Sequence, residues 1–200
     1  MSAIDVSRTA LIVMDFQNDI IHPDGAFGGQ GAAAQVEAAN AVPNTAKALA
    51  AARKAGMTIV HIGVGFRPGH PEINDASPLF QGIKEGNALV NGTWGVEFHP
   101  DLQPSDGEIV AMKPGVSSFA GTDVDLILRN RGIDRVVLAG IATTFVVEGT
   151  ARHAADLGYG VTVLEDCCAS MTDEMHQASI VVLSMLGAMS NSGEFGAALS

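Results

Sequence analysis

Five apolar runs divide the chain, each short enough for a strand and each ending in a glycine or a polar residue. Thr9 to Met14 is the clearest: TALIVM is continuous and stops at Asp15, the pattern of a strand buried on both faces of a parallel sheet. Met57 to Ile62, Glu108 to Met112, Arg135 to Ala139 and Gly160 to Leu164 repeat it. Between them the period changes to that of helices. Pro43 is placed as the first residue of a helix running to about Ala55, with Val42, Ala46, Leu49 and Arg53 on related faces and Gly56 as its stop. Thr122 is placed to cap a second helix, with Asp123 and Asp125 in its first turn, Val124, Ile127 and Leu128 as its apolar stripe, and Arg129 and Arg131 before Gly132. A third starts near Thr143 or Thr144 and stops at Gly158, and a fourth runs from about Asp173 to Leu186.

Alternating strands and helices predict an α/β fold: a doubly wound, mostly parallel sheet of about six strands, helices on both faces, right-handed crossovers. One stretch breaks the alternation. Gly63 to Pro100 holds four prolines and no long periodic segment, and reads as a long loop insert at about 63–100. Loops of that length inside a compact domain are usually functional.

Composition narrows the function classes. With 200 residues, 47% of them hydrophobic, the chain can bury one core of ordinary size, so a single domain over 1–200 is expected. The formal charge of -11 repels a phosphate backbone, which argues against nucleic acid. There is neither an apolar run of membrane-spanning length nor a signal-peptide pattern, so no membrane partner and a soluble, cytoplasmic protein are expected. The two cysteines, Cys167 and Cys168, are adjacent, a geometry that suits neither a structural disulfide nor a four-ligand zinc site.

Ligands of open parallel sheets bind beyond the carboxyl ends of the strands. The residues there are Asp15 after the first run, Lys113 after the third, and Gly140-Ile141-Ala142-Thr143 after the fourth. An Asp and a Lys meeting in a crevice shift each other's proton affinity and can hold or relay a proton; a structural ion pair, or two separate strand ends, fits the spacing equally well.

These segments resemble the isochorismatase-like hydrolases, also called the cysteine hydrolase family, whose members include nicotinamidases, carbamoylsarcosine amidases and isochorismatase. The resemblance covers nearly the whole chain. Ala10 to Asp19 (ALIVMDFQND) is similar to the opening strand with its catalytic Asp, and Lys113 to Phe119 (KPGVSSF) to the segment with its catalytic Lys. Gly140-Ile141-Ala142-Thr143 followed by Glu148-Gly149-Thr150-Ala151 resembles the nucleophile loop, and Gly158-Tyr159 and Asp166 to Ser170 extend the match. The resemblance implies a cis peptide between Ile141 and Ala142 and an oxyanion site made by backbone at Ile141, Ala142 and position 146. There the family's cysteine sits four residues after the alanine of the turn, near the start of a helix. Here that position is Val146.

An isopropyl group has no lone pair, so the acyl-enzyme route of the amidases is closed. Cys167 and Cys168 align with a different motif and read as core or strand-end residues. Two functions remain: a member that lacks thiol chemistry and is silent or binds a small ligand, or a cysteine-independent hydrolase in which Asp15 is the general acid, as in isochorismatase-type cleavage of a vinyl ether. The first is slightly favoured where amides are concerned.

The resemblance also suggests Ile20, Trp94, Phe119 and Phe145 as pocket residues, although each is as readily ordinary core. The metal-binding Asp-x-His of some nicotinamidases is missing after the second strand, so no metal and no cofactor are expected. His61 reads as a hydrogen-bonded strand-end histidine, His22, His70 and His99 as loop residues. Arg67 has the chemistry to take a substrate carboxylate, but Glu72 is at hand to pair with it. The family's habit implies a homodimer or homotetramer acting on a small molecule.

Overall fold

A computed structural model of the protein describes residues 3–74 and 76–199. In chain order its elements are β1 (Thr9–Met14), α1 (Asn18–Ile21), α2 (Ala32–Ala38), α3 (Ala41–Lys54), β2 (Thr58–Val64), α4 (Pro78–Glu85) and β3 (Ile109–Lys113), then α5 (Val124–Asn130), β4 (Arg135–Ile141), α6 (Glu148–Asp156), β5 (Gly160–Ala169), α7 (Asp173–Leu186), β6 (Ala188–Ser190) and α8 (Ser192–Ala198). The six strands form one sheet in the order β3-β2-β1-β4-β5-β6, and every neighbouring pair is parallel.

The strict two-residue alternation of side chains in a strand explains the layers. Ala10, Ile12 and Met14 of β1 enter a core shared with Val124 and Leu128 of α5, Ala151 of α6 and Leu183 of α7. Leu11 and Val13 enter another, shared with Val36 of α2, Leu49 of α3 and Phe195 of α8. Helices therefore cover both faces, and all six residues of β1 are buried. Each fully buried Leu or Ile there contributes about 1.5–3 kcal/mol. The adjacent cysteines obey the same alternation: Cys168 belongs to the first core and Cys167 to the second.

The predicted strands are present, shifted or extended by a few residues at their ends. The sixth, β6, has three residues, too few to show a period in sequence. Pro43 is the third residue of α3, which begins after Asn40 at a φ of 51°; the missing N–H of proline is tolerated anywhere in a first turn, whose N–H groups have no intrahelical acceptor. Thr122 stands one residue further out than a cap, donating to Ser118 O at 2.6 Å and accepting weakly from Val124 N at 3.4 Å. The helix expected from Thr143 opens with a π turn over Thr143–Val147 before α6.

The 63–100 stretch is more ordered than a loop. It carries α4, with Pro78 in its first turn, and a third apolar cluster of Val64, Phe66, Ile73, Ile83, Ala88 and Leu89. His70, expected as a loop residue, is 2% exposed, and its Nε2 lies 2.7 Å from Ala88 O inside that cluster. No helix among the described residues is long and apolar enough to cross a membrane.

Candidate active site

Strand order reverses between β1 and β4, because β1 is followed in space by β2 on one side and by β4 on the other. Crossovers leave opposite faces at such a point, and a crevice opens beyond the strand ends. Gly140 brings the two strands close there: a Cβ on it would stand 2.9 Å from Met14 Cβ and 3.0 Å from Met14 O.

Asp15 is the first residue beyond β1. Its φ of 61° lies in the left-handed region, which Asp tolerates better than most side chains, and the chain turns there. Lys113 ends β3, two strands away, and its long side chain crosses the end of β2 to bring Nζ within 2.8 Å of Asp15 Oδ2 and 2.9 Å of Gly115 O. Both side chains are buried, with relative exposures of 2% and 6% for Lys113 and Asp15. Burial pushes the Asp15 carboxyl above the ordinary carboxylate range, and the charge and hydrogen bond of Lys113 offset only part of that rise. One carboxylate oxygen of Asp15 is therefore held by Lys113, and the other, Oδ1, is buried with no hydrogen-bond partner among the described residues.

The chain leaves β4 through a cis Ile141–Ala142 peptide and enters the π turn. Thr143 Oγ1 lies 2.8 Å from His176 Nδ1 and Thr144 Oγ1 2.7 Å from Ser170 Oγ, so both threonines of this turn are tied to the segment that follows β5. Val146 is 2% exposed. Its side chain belongs to the α5–α7 core and also to the wall of a cavity of about 110 Å3 that Asp15, Lys113, Ile141 and Ala142 share.

The rest of that wall is apolar. Ile20 and Phe145, both expected from sequence, line it; so do Phe27, Val64, Leu89, Val116 and Met171, which were not anticipated. Helix α4 covers one side with Leu79, Phe80 and Ile83. That spacing places them on one helical face, and together with Pro78 behind Ser77 it was the available sequence signal. Three consecutive polar residues after Phe16 fasten the 63–100 stretch, at points flanking α4, to the end of β1. Gln17 bonds to Val64 and to Val96 O, Asn18 Nδ2 donates to Trp94 O at 2.9 Å, and Asp19 Oδ2 accepts from Leu89 N at 2.7 Å.

Other expected residues lie elsewhere. Trp94 is 45% exposed and meets His22 edge to face at 5.0 Å, outside the cavity wall. Phe119 is in the core, stacked on Tyr159 with ring centroids 5.7 Å apart, and is also outside the wall. Aromatic residues near a site in sequence have two faces to turn to, and here each has turned away from the cavity. Arg67 Nη1 pairs with Glu72 Oε1 at 2.9 Å, away from the crevice. His61 is buried against Glu108 Oε2 at 2.8 Å. His99 accepts from Asp101 N. Cys167 and Cys168 are buried free thiols outside this cavity, and burial raises both above the ordinary thiol range. Among the described residues no group of three or more His, Cys, Asp or Glu is placed to hold a metal ion.

The comparisons with known proteins agree with one another. The sequence model of the Isochorismatase domain matches residues 9–194. The chain is 33% identical over 177 residues, 88% of its length and 86% of the other's, to YwoC, an uncharacterized isochorismatase family protein of Bacillus subtilis (strain 168). In solved structures it is similar to an isochorismatase-like hydrolase from Alkaliphilus metalliredigens, with a TM-score of 0.82 and 30% identity over 96% of this chain and all of that one. It is also similar to N-carbamoylsarcosine amidase from Thermoplasma acidophilum, with a TM-score of 0.73 and 28% identity over 92% of this chain and 96% of that one.

Proposed function

This chain belongs to the isochorismatase-like hydrolase family, and within it we propose a site that works without a protein nucleophile: it binds a small molecule and hydrolyses it by proton transfer at Asp15, with no covalent acyl-enzyme. The supporting observation is the unpartnered Oδ1 of a buried carboxyl whose other oxygen is held by Lys113. Burial favours the protonated acid and Lys113 keeps the carboxylate within reach, so the group can cycle between the two. In the forward step Oδ1–H gives its proton to the substrate, at the leaving heteroatom of an amide or at the terminal alkene carbon of a vinyl ether. A water molecule adds its oxygen to the carbon that loses the heteroatom, and the water's released proton returns to Asp15. The net change is the addition of one water across one bond. Ala142 and Val146, on the same wall, would supply backbone N–H groups to polarise the substrate.

A second reading is binding without turnover. Its support is Val146, which puts an isopropyl group where a thiol would have to stand and closes the amidase route of relatives such as N-carbamoylsarcosine amidase.

Parallel assays of the unaltered chain, Asp15→Asn and Val146→Cys separate the readings. Substrates would include uncharged vinyl ethers and a panel of small neutral amides, with isochorismate as the charged comparison. Turnover by the unaltered chain, lost in Asp15→Asn with fold retained by circular dichroism, is the expected outcome. An unaltered chain inert on every substrate, with amide hydrolysis gained in Val146→Cys, would overturn proton transfer in favour of a binding protein descended from an amidase.

A further inference from the structure

The wall of the Asp15 cavity also says what kind of molecule enters it. Two of its described residues are ionisable, Asp15 and Lys113, and they are hydrogen-bonded to each other at 2.8 Å; the remaining described lining is apolar. A substrate carboxylate would need a cation free to meet it, and the described residues of the wall offer none: Lys113, 2% exposed, is tied by hydrogen bonds to Asp15 Oδ2 and Gly115 O, and Arg67 is held by Glu72 outside it. Burying an anion without such a partner is costly enough that it enters as its conjugate acid or stays in water. The volume sets the size. At about 110 Å3 the space, which is partly open to solvent, is somewhat smaller than the apolar cavity of about 150 Å3 that takes up benzene.

We propose that the ligand is a small, uncharged molecule whose enclosed part has about six non-hydrogen atoms: a branched or cyclic hydrocarbon body against Leu79, Ile83, Leu89 and Val116, and one polar group hydrogen-bonded to Asp15 Oδ1. Anionic metabolites, dicarboxylates above all, are excluded. The inference shares with the proposed function the premise that this cavity is the ligand site, but it does not depend on turnover.

The test is a matched pair of probes, isobutyramide and isobutyrate, which have the same shape and differ in charge. Binding is read at equilibrium by methyl NMR of the full chain. Isobutyric acid is almost wholly ionised near neutral pH, so at a pH of about 7.5 entry of its neutral form alone weakens binding by roughly five-hundredfold or more. The expected result is that isobutyramide shifts the methyl resonances of Ile83, Leu89 and Val116 and binds at least about tenfold more tightly than isobutyrate. Leu79→Arg, a substitution at a half-buried position on the wall, adds the missing cation and should reverse the preference. Equal or tighter binding of isobutyrate by the unaltered chain overturns the inference, as does the absence of saturable shifts at those methyls with either probe. Neutral selectivity in a chain that turns over nothing would leave this inference standing and remove the proton-transfer reading. Isobutyrate selectivity in a chain whose activity needs Asp15 would do the reverse.

Discussion

Gln17 holds the end of β2 with both atoms of its side-chain amide: Oε1 accepts from Val64 N at 2.7 Å and Nε2 donates to Val64 O at 3.0 Å. The same Nε2 donates to Val96 O at 2.9 Å, and the residue is fully buried. One glutamine thus joins the switch point of the sheet to two places in the segment that covers the cavity.

Gln17→Ala leaves three backbone groups short of a partner in a place where water enters poorly. The expected loss is about 2–4 kcal/mol of unfolding free energy, measured by urea denaturation. Ligand affinity should fall with it, because Val64 lines the cavity. Unchanged stability would mean that the covering segment is held by its apolar cluster alone.

The Asp15–Lys113 pair is expected to cost stability. Its two charges are buried in apolar surroundings, and replacing a buried pair by neutral groups is often stabilising by about 1–4 kcal/mol. The double variant Asp15→Asn/Lys113→Met should therefore unfold at higher urea than the unaltered protein near neutral pH, while losing all activity. The sign of the pH dependence follows from the raised proton affinity of Asp15. The folded state holds that proton longer than the unfolded state, so the unaltered protein loses stability as pH rises from the ordinary value of 3.8 through the raised one. The gap to the double variant should open over that window and then level off. For a general acid the rate should fall with rising pH through the same raised value.

At the back of the sheet Glu108 receives Arg53 at 2.7 Å and His61 at 2.8 Å. Burial acts to raise its carboxyl, but Arg53, the Ser105 N–H and His61 outweigh it and hold the group at about 2. A depressed carboxyl stabilises the fold above its unfolded value and loses that contribution as pH falls through the folded one. Glu108→Gln should cost about 1–2 kcal/mol near neutral pH, after allowance for partial solvent screening. In chemical denaturation series the cost should shrink below the ordinary value of 4.5 and be nearly gone at about 2.

Neither cysteine should react in the native protein. Cys167 and Cys168 are at most 1% exposed, and burial pushes Cys168 up to about 12 and Cys167 higher still, so almost no thiolate forms at neutral pH. A disulfide reagent such as dithionitrobenzoate should label both only after unfolding and leave any activity intact beforehand. Loss of activity on native labelling would point to thiol chemistry from an unexpected quarter.

Local pattern carried the scaffold of this site a long way. A continuous apolar run that stops at Asp15 can hardly be other than a buried strand with a carboxylate at its end, and the runs before Lys113 and Gly140 follow the same logic. Sequence also placed Val146 at the start of a helix on this turn, where its chemistry is decided by composition alone: an isopropyl group cannot attack a carbonyl wherever it points.

Direction and partnership depend on the packed chain. Ile20 and Phe145 face the cavity while Trp94 and Phe119 do not, and the hydrophobicity of the four is no guide to which. Asp15 and Lys113 lie 98 residues apart, so their pairing depends on β2 standing between their strands with Lys113 long enough to cross its end. The eight residues of α4 are too few to be stable as an isolated helix; packing against Phe66 and Leu89 holds them, and those contacts exist only once the sheet has formed. Periodicity reports which face of an element is buried, because burial follows from free energies local to that element. Which cavity a face closes, and which charge meets which, follows from contacts between segments far apart in sequence, and these arise only from the tertiary fold.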